Sequence, residues 1–272
     1  MVAMGRDPFS EFERAGWERA AARYEECWTD TALFVGPLLD AVAVRPGSRL
    51  LDIACGPGYV SEAAAARGAR PVGVDVAEAM VERARRRCPG LSFVVGDALQ
   101  LPFPDTSFDA VTMNFGILHV SRPEVGLAEA GRVLAAGGRF AFTTWVADGN
   151  AQDEITAAAV DAHGVAVEVP EGPSYYVLSE LDDCRRALGH AGFDPESVRA
   201  ETVTVQWRIP SPDRLFDAQL HAGVRTAAVL RAQPADRLEA IRVAMAAGVR
   251  RYADGDEFAL PIAARVIAAT AQ

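Results

Sequence analysis

A chain of 272 residues, half of them apolar and a quarter charged, can bury one large core and at most a small second domain. Its formal charge of −10 argues against a nucleic-acid partner, since binding many phosphates needs a basic stripe. All 27 cationic residues are arginine, which leaves neither a Schiff-base amine nor the lysine of a P-loop.

The N-terminal segment alternates charges with aromatics and lacks the apolar core of a signal peptide. It predicts an amphipathic helix over 9–28 carrying Phe9, Phe12, Trp17, Tyr24 and Trp28, then a second helix over 31–43 ending at Arg45-Pro46-Gly47. Residues 49–54 form a short apolar run followed by a glycine-rich turn and a helix-type stretch that stops at Gly68. The unit repeats more loosely: strands at 70–75, 91–95, 108–113 and 139–145, and helices at 77–87 and 123–135. Arg83, Arg85, Arg86 and Arg87 read as the solvated face of one of these helices. Such alternation predicts an α/β fold with a doubly wound, Rossmann-like, seven-stranded parallel sheet.

Beyond Trp145 the pattern loosens into a helical piece and Gly/Pro loops over 146–178, then a helix capped by Ser179 that runs to Gly192. A strand at 197–209, helices at about 212–231 and 234–252, and a last strand at 257–270 complete the chain. The expected organisation is an N-terminal helical lid over 1–45, a ligand-binding domain over 46–209, a helical cap insertion over 210–256, and the last strand of the sheet over 257–272. Cys27, Cys55, Cys88 and Cys184 are widely spaced and form no CxxC pair, so neither a metal site nor a disulfide framework is expected. No run approaches the roughly 20 apolar residues that span a bilayer. A cytoplasmic protein, monomeric or homodimeric, is the expectation.

The chemistry concentrates at three strand ends, where a doubly wound sheet puts its ligand. In LLDIACGPG (50–58), Gly56 and Gly58 remove side chains so that a ligand can approach the backbone. In VGVD (72–75), Asp75 can accept hydrogen bonds from both hydroxyls of a ribose. In GDALQLPF (96–103), Asp97 can accept from an adenine amine and the Ala98 N–H can meet a ring nitrogen. Each feature alone has a structural explanation, a tight turn or a helix cap; the three at successive strand ends are far more specific. A dinucleotide fold also has glycines and a following acid, but the string GPGYVS lacks the third glycine. Asp52 just before the turn suits the ammonium of S-adenosylmethionine (SAM) and would be an awkward neighbour for a pyrophosphate.

These motifs, with VVGDALQLPFPDTSFDAV and RVLAAGGRF, resemble the class I SAM-dependent methyltransferases, in the broad group of ubiquinone/menaquinone-biosynthesis and natural-product enzymes. The resemblance covers about residues 45–145. It implies SAM as cofactor and S-adenosylhomocysteine (SAH) as product, with Ala54, Gly56 and Gly58 along the methionine part. It further implies Asp75 on the ribose, Asp97 with Ala98 on the adenine, and Asn114 and Phe115 beneath the cofactor. Val76 and Met80 are expected to pack on the adenine ring. Cys55 fills a position that varies in the family and reads as a small packing residue. No DNA-amino-methylase motif follows the fourth strand, and no acid cluster suggests a metal.

Methyl transfer needs an aligned nucleophile, methyl and sulfur in a dry site, and a base only if the nucleophile must lose a proton. His119 is the candidate base or positioning residue, five residues after Asn114. Tyr24, Trp28, Trp145, Tyr175, Tyr176 and His221, together with His119, are the candidate substrate contacts, and Arg208 or Arg225 could meet an acidic group. The expected acceptor is a small, largely apolar metabolite methylated on carbon or oxygen, as in secondary metabolism. The alternatives are a methyltransferase-fold cyclase that uses SAM without consuming it, a nicotinamide-dependent oxidoreductase, and a non-catalytic binding module.

Overall fold

A computed structural model of the protein describes residues 7–27 and 30–272. The N-terminal region folds as α1 (Pro8–Ala20), α2 (Tyr24–Cys27), a 3₁₀ turn and α3 (Val35–Ala41). Asp7 caps α1 by accepting from the Ser10 N–H, and Pro8 sits where no N–H is needed. The long helix expected over 9–28 is broken at residues 21–23, and the one expected over 31–43 begins as a 3₁₀ turn.

The parallel units are β1 (Arg49–Ile53), α4 (Tyr59–Ala66), β2 (Arg70–Asp75), α5 (Glu78–Arg87), β3 (Ser92–Val95), β4 (Phe108–Met113), α6 (Pro123–Val133) and β5 (Leu134–Trp145). Then come α7 (Ala151–His163), α8 (Leu181–His190), β6 (Arg199–Ile209), α9 (Arg214–Ala222), α10 (Arg225–Arg231), α11 (Ala235–Val249), β7 (Ala253–Asp254) and β8 (Glu257–Thr270). The strands lie in the order β3-β2-β1-β4-β5-β8-β6, with β1 to β5 parallel and β8 antiparallel to both its neighbours. The sheet has eight strands where the sequence suggests seven, because β7, only two residues long, folds back on β8.

Alternation along the strands makes two cores. Leu50, Ala110 and Ala141 face α3 and α4 with Leu38, Leu39 and Val60. Leu51, Val111, Phe140 and Phe142 face the opposite layer with Leu127, Leu188 and Phe193. A third apolar cluster lies beyond the carboxyl ends of the strands, where Trp145, Trp207 and Ile155 meet Leu215, Ile241 and Met245 of the inserted helices. The helix starting from Ser179 instead begins at Leu181 with no side-chain cap, and the Ser179 carbonyl accepts from Arg265. The stretch expected as one helix over 212–231 splits at Gly223. No helix among the described residues is long and apolar enough to cross a membrane.

Candidate functional site

One cavity opens at the carboxyl edge of the sheet, and the strand order explains what lines it. Because β1 pairs in register with β2 and β2 with β3, their ends bring Gly56, Asp75 and Asp97 to one crevice. The turn after β1 is tight: Ala54, Gly56 and Gly58 all have left-handed backbones, at φ 53°, 51° and 88°. Only glycine adopts this freely. A side chain at Gly56 would point into open space, so the bare backbone there faces the cavity.

Gly58 has a different job from the one expected. It begins α4, and a Cβ there would meet the Phe93 ring at 3.1 Å and Ala84 at 3.4 Å, so the residue permits close packing away from the cavity lining. Asp52 also departs from the expectation. It is fully buried beneath the turn and accepts from the Ser61 N–H at 3.1 Å and the Ser61 Oγ–H at 2.8 Å. Burial pushes its pKa to about 7, against the hydrogen bonds from Ser61. It ties β1 to α4 and does not line the cavity.

Asp75 is nearly buried, with Oδ2 accepting from Gly56 N–H at 2.9 Å and Oδ1 from Ala77 N–H at 3.0 Å. Burial raises its pKa, and those two N–H groups pull the other way. Asp97 Oδ1 accepts from the Leu99 N–H at 2.9 Å. Val76, Met80, Ala98 and Ala54 complete this end of the cavity. The chemistry suits an adenosyl group: two carboxylates for hydroxyls or an amine, an apolar wall of Val76 and Met80, and open backbone at Gly56. No arginine is among the described lining residues, so none of them offers a pyrophosphate a guanidinium.

At the end of β4, Thr143 Oγ1 donates to Asn114 Oδ1 at 2.8 Å and accepts from the Phe115 N–H at 2.7 Å. Asn114 in turn donates to the Thr31 carbonyl at 3.1 Å. Phe115, itself left-handed at φ 51°, stacks on Trp145 with ring centroids 4.0 Å apart. His119 lies on the wall with its Nδ1 2.9 Å from Glu13 Oε2 and its ring edge-on to Trp17. Tyr24, Trp145 and Tyr175 also line the cavity. Tyr24 shares a hydrogen bond with Thr31, and burial pushes its phenol well above the usual range.

Tyr176 and His221 do not line the cavity. Tyr176 packs on the rim of the third apolar cluster, while His221, on α9, has a pKa lowered by partial burial and nearby arginines. Trp28 lies outside the described residues. Neither arginine is free for an acidic ligand. Arg208 is exposed and pairs with Asp254 and Glu257. Arg225 is spent inside the protein, on Glu13 Oε1 at 2.8 Å and on the carbonyls of Pro173 and Leu118.

Sequence reasoning missed Glu13, the buried carboxylate that joins His119 to Arg225. Burial raises its pKa, yet His119 and Arg225 outweigh that and hold it below the usual carboxylate range. It also missed Gln152, Asp153, Gln219 and Thr226 on the far wall. The periodic pattern around Glu13 was the one available signal, since a glutamate on the apolar side of α1 needs a partner.

A methyltransferase-domain family model matches residues 51–142. Over 101 residues the chain is 50% identical to a demethylmenaquinone methyltransferase of Beutenbergia cavernae, an alignment that covers 37% of this chain and 42% of that protein. The chain thus spans about two fifths of the length of the curated relatives it matches. Among solved structures, a phosphoethanolamine N-methyltransferase 2 of Haemonchus contortus, bound to SAH, superposes with a TM-score of 0.58 at 19% identity, over 97% of this chain and 60% of that one. The [4+2]-cyclase SpnF superposes with a TM-score of 0.55 at 20% identity, over 88% and 80%. At such identities these likenesses establish the fold alone. Residues 51–142, which build the crevice, are thus similar to the domain of the SAM-dependent methyltransferases, whose cofactor is SAM.

Proposed function

We propose that the protein transfers a methyl group from SAM to a carbon or oxygen atom of a small, largely apolar metabolite, as in secondary metabolism. The observation carrying this reading is a single cavity whose walls run from Gly56, Asp75 and Asp97 to Trp145, Tyr175 and His119. Bound SAM supplies an electrophilic methyl on a sulfonium. Asp75 and Asp97 orient the adenosyl part, and the Asn114–Thr143 hydrogen bond fixes the backbone beneath it. Residues 7–27 act as a lid and 210–256 as a cap, excluding water from the reacting atoms, while α3, expected in the lid, packs in the core of the sheet. His119 is the base for an acceptor that loses a proton. Glu13 holds Nδ1, which leaves Nε2 as the nitrogen available to the acceptor.

Calorimetry with SAH, followed by mass spectrometry of candidate acceptors incubated with SAM, tests the reading. Micromolar SAH affinity and a product heavier by one methylene are expected. Absence of SAH binding would overturn the assignment. An acceptor converted to an isomer would favour the cyclase alternative, which the fold by itself does not distinguish.

A further inference from the structure

Among the described residues, four carboxylates line the cavity: Glu13, Asp75, Asp97 and Asp153. Three have partners within the protein. Glu13 faces His119 and Arg225, Asp75 accepts from the Gly56 and Ala77 N–H groups, and Asp97 accepts from the Leu99 N–H. Asp153, half-buried on the far wall, has no hydrogen bond or ion pair with the described residues. Charges withdrawn from water are ordinarily paired, so this exception asks for a partner from outside the chain. Burial, helped by Glu154, raises the Asp153 pKa to about 6, and no cation of the described residues offsets them. At neutral pH the group is therefore mainly an anion. Its place in the first turn of α7 suits a negative charge without supplying a counter-ion.

The surroundings favour a cation. Burial above all, with the Asp153 charge adding to it, raises the pKa of the Asp30 carboxyl and of the Tyr175 and Tyr176 hydroxyls, so an acid and two phenols share its neighbourhood. The described lining residues include no arginine, and His119 already turns Nδ1 to Glu13. Phe115, Trp145 and Tyr175 line the same cavity, and aromatic rings accommodate an ammonium far better than an anion. Asp153 lies at the start of α7, which follows β5, while Asp97 follows β3. In the order β3-β2-β1-β4-β5 these strands are four spacings apart, roughly 19 Å. An adenosyl group held at β1 to β3 leaves the β5 end to the acceptor.

We infer that the acceptor carries a basic nitrogen, remote from the methylated atom, whose ammonium pairs with the Asp153 carboxylate while its apolar body rests on the aromatic wall. This rests on the methyl-transfer reading and narrows it to a substrate class, the amines. A hydrogen bond to a charged group is worth about tenfold to a hundredfold in affinity.

The test uses the full chain with excess SAH and calorimetric titration at neutral pH with three matched pairs: benzylamine and benzyl alcohol, 2-phenylethylamine and 2-phenylethanol, naphthalen-1-ylmethylamine and naphthalen-1-ylmethanol. At least one amine should bind about tenfold or more tighter than its alcohol. Asp153→Asn, which keeps the shape and removes the charge, should bring that ratio within about threefold while SAH affinity stays within about threefold of wild type. A smaller preference in every wild-type pair would overturn the inference, and so would a larger ratio that survives in the variant. SAH keeps the methionine ammonium of SAM, so a greater loss of SAH affinity in Asp153→Asn would give the carboxylate to the cofactor and overturn the inference too. Should neither Asp153→Asn nor Asp153→Ser fold, the wild-type ratio decides. SAH binding by the wild type reports on the methyl-transfer reading, and the same titrations without SAH read the Asp153 site, so the two can fail independently.

Discussion

Replacing Asp75 with alanine tests the cofactor end most directly. In the protein the carboxylate already accepts from Gly56 N–H at 2.9 Å and Ala77 N–H at 3.0 Å. Its remaining lone pairs face the cavity, where two ribose hydroxyls would donate to them. A net hydrogen bond to a charged group contributes about 1.5–3 kcal/mol, so losing two costs about 3–6 kcal/mol before relaxation. Water entering the vacated space recovers part of this. The expected loss is therefore about 3–4 kcal/mol, or a few hundredfold in SAH affinity at about 1.4 kcal/mol per tenfold. Calorimetry with SAH measures it. The substitution also strands two N–H groups that brace the turn, so thermal unfolding of the unliganded protein must be read beside it. An SAH affinity within threefold of wild type, in a folded variant, would mean that the ribose is held elsewhere and that the map of the crevice is wrong.

Glu13→Ala leaves Arg225 buried without its carboxylate and should destabilise the fold by about 3–5 kcal/mol in chemical denaturation. Arg208→Ala, removing an exposed pair, should cost no more than about 1 kcal/mol; equal losses would deny the buried pair its role. Stability should fall as pH rises through the neutral range. Asp52 and Asp30 have folded pKa values of about 7, above the ordinary 3.8, so their contribution is complete below about 4 and is lost as pH rises through 7. Tm should be higher at pH 5.5 than at pH 8, and Asp52→Asn should flatten the difference; a Tm that climbs with pH contradicts the sign. Gly16→Ala would put a Cβ 2.3 Å from Val224 Cγ1, wedging α1 from the turn between α9 and α10. It should cost about 1–3 kcal/mol and speed SAH release in stopped-flow fluorescence, whereas an unchanged off-rate would mean that α1 does not close the cavity.

The cofactor half was legible because its determinants are local. Asp75 ends β2, Gly56 and Asp97 follow closely after β1 and β3, and the parallel register of these strands follows from the alternation of strands and helices. What misled was the assumption that every residue of a motif faces the ligand. A strand turns successive side chains to opposite faces, so Asp52 goes beneath the turn to Ser61. Gly58 serves the helix that packs on Phe93. Boundaries failed where a helical pattern hides a break, as at residues 21–23 and Gly223, since hydrophobic spacing continues across a kink that tertiary packing imposes.

The far wall of the cavity was not legible, because its contacts join segments far apart in the chain. Glu13 reaches His119 across 106 residues and Arg225 across 212, and nothing in the periodicity of α1 names either partner. A composition argument found the aromatics but gave no reason to prefer Tyr175 to Tyr176; both pack on the third apolar cluster, and Tyr175 also lines the cavity. The same distance gives the arrangement its value. A carboxylate buried on α1 is tolerable only while His119 and Arg225 both face it. The N-terminal helix, the segment after β4 and the inserted helices therefore meet at one buried carboxylate, and displacing either flank takes a hydrogen-bond partner from Glu13. The position of α1 and the orientation of His119 are, on this geometry, set together.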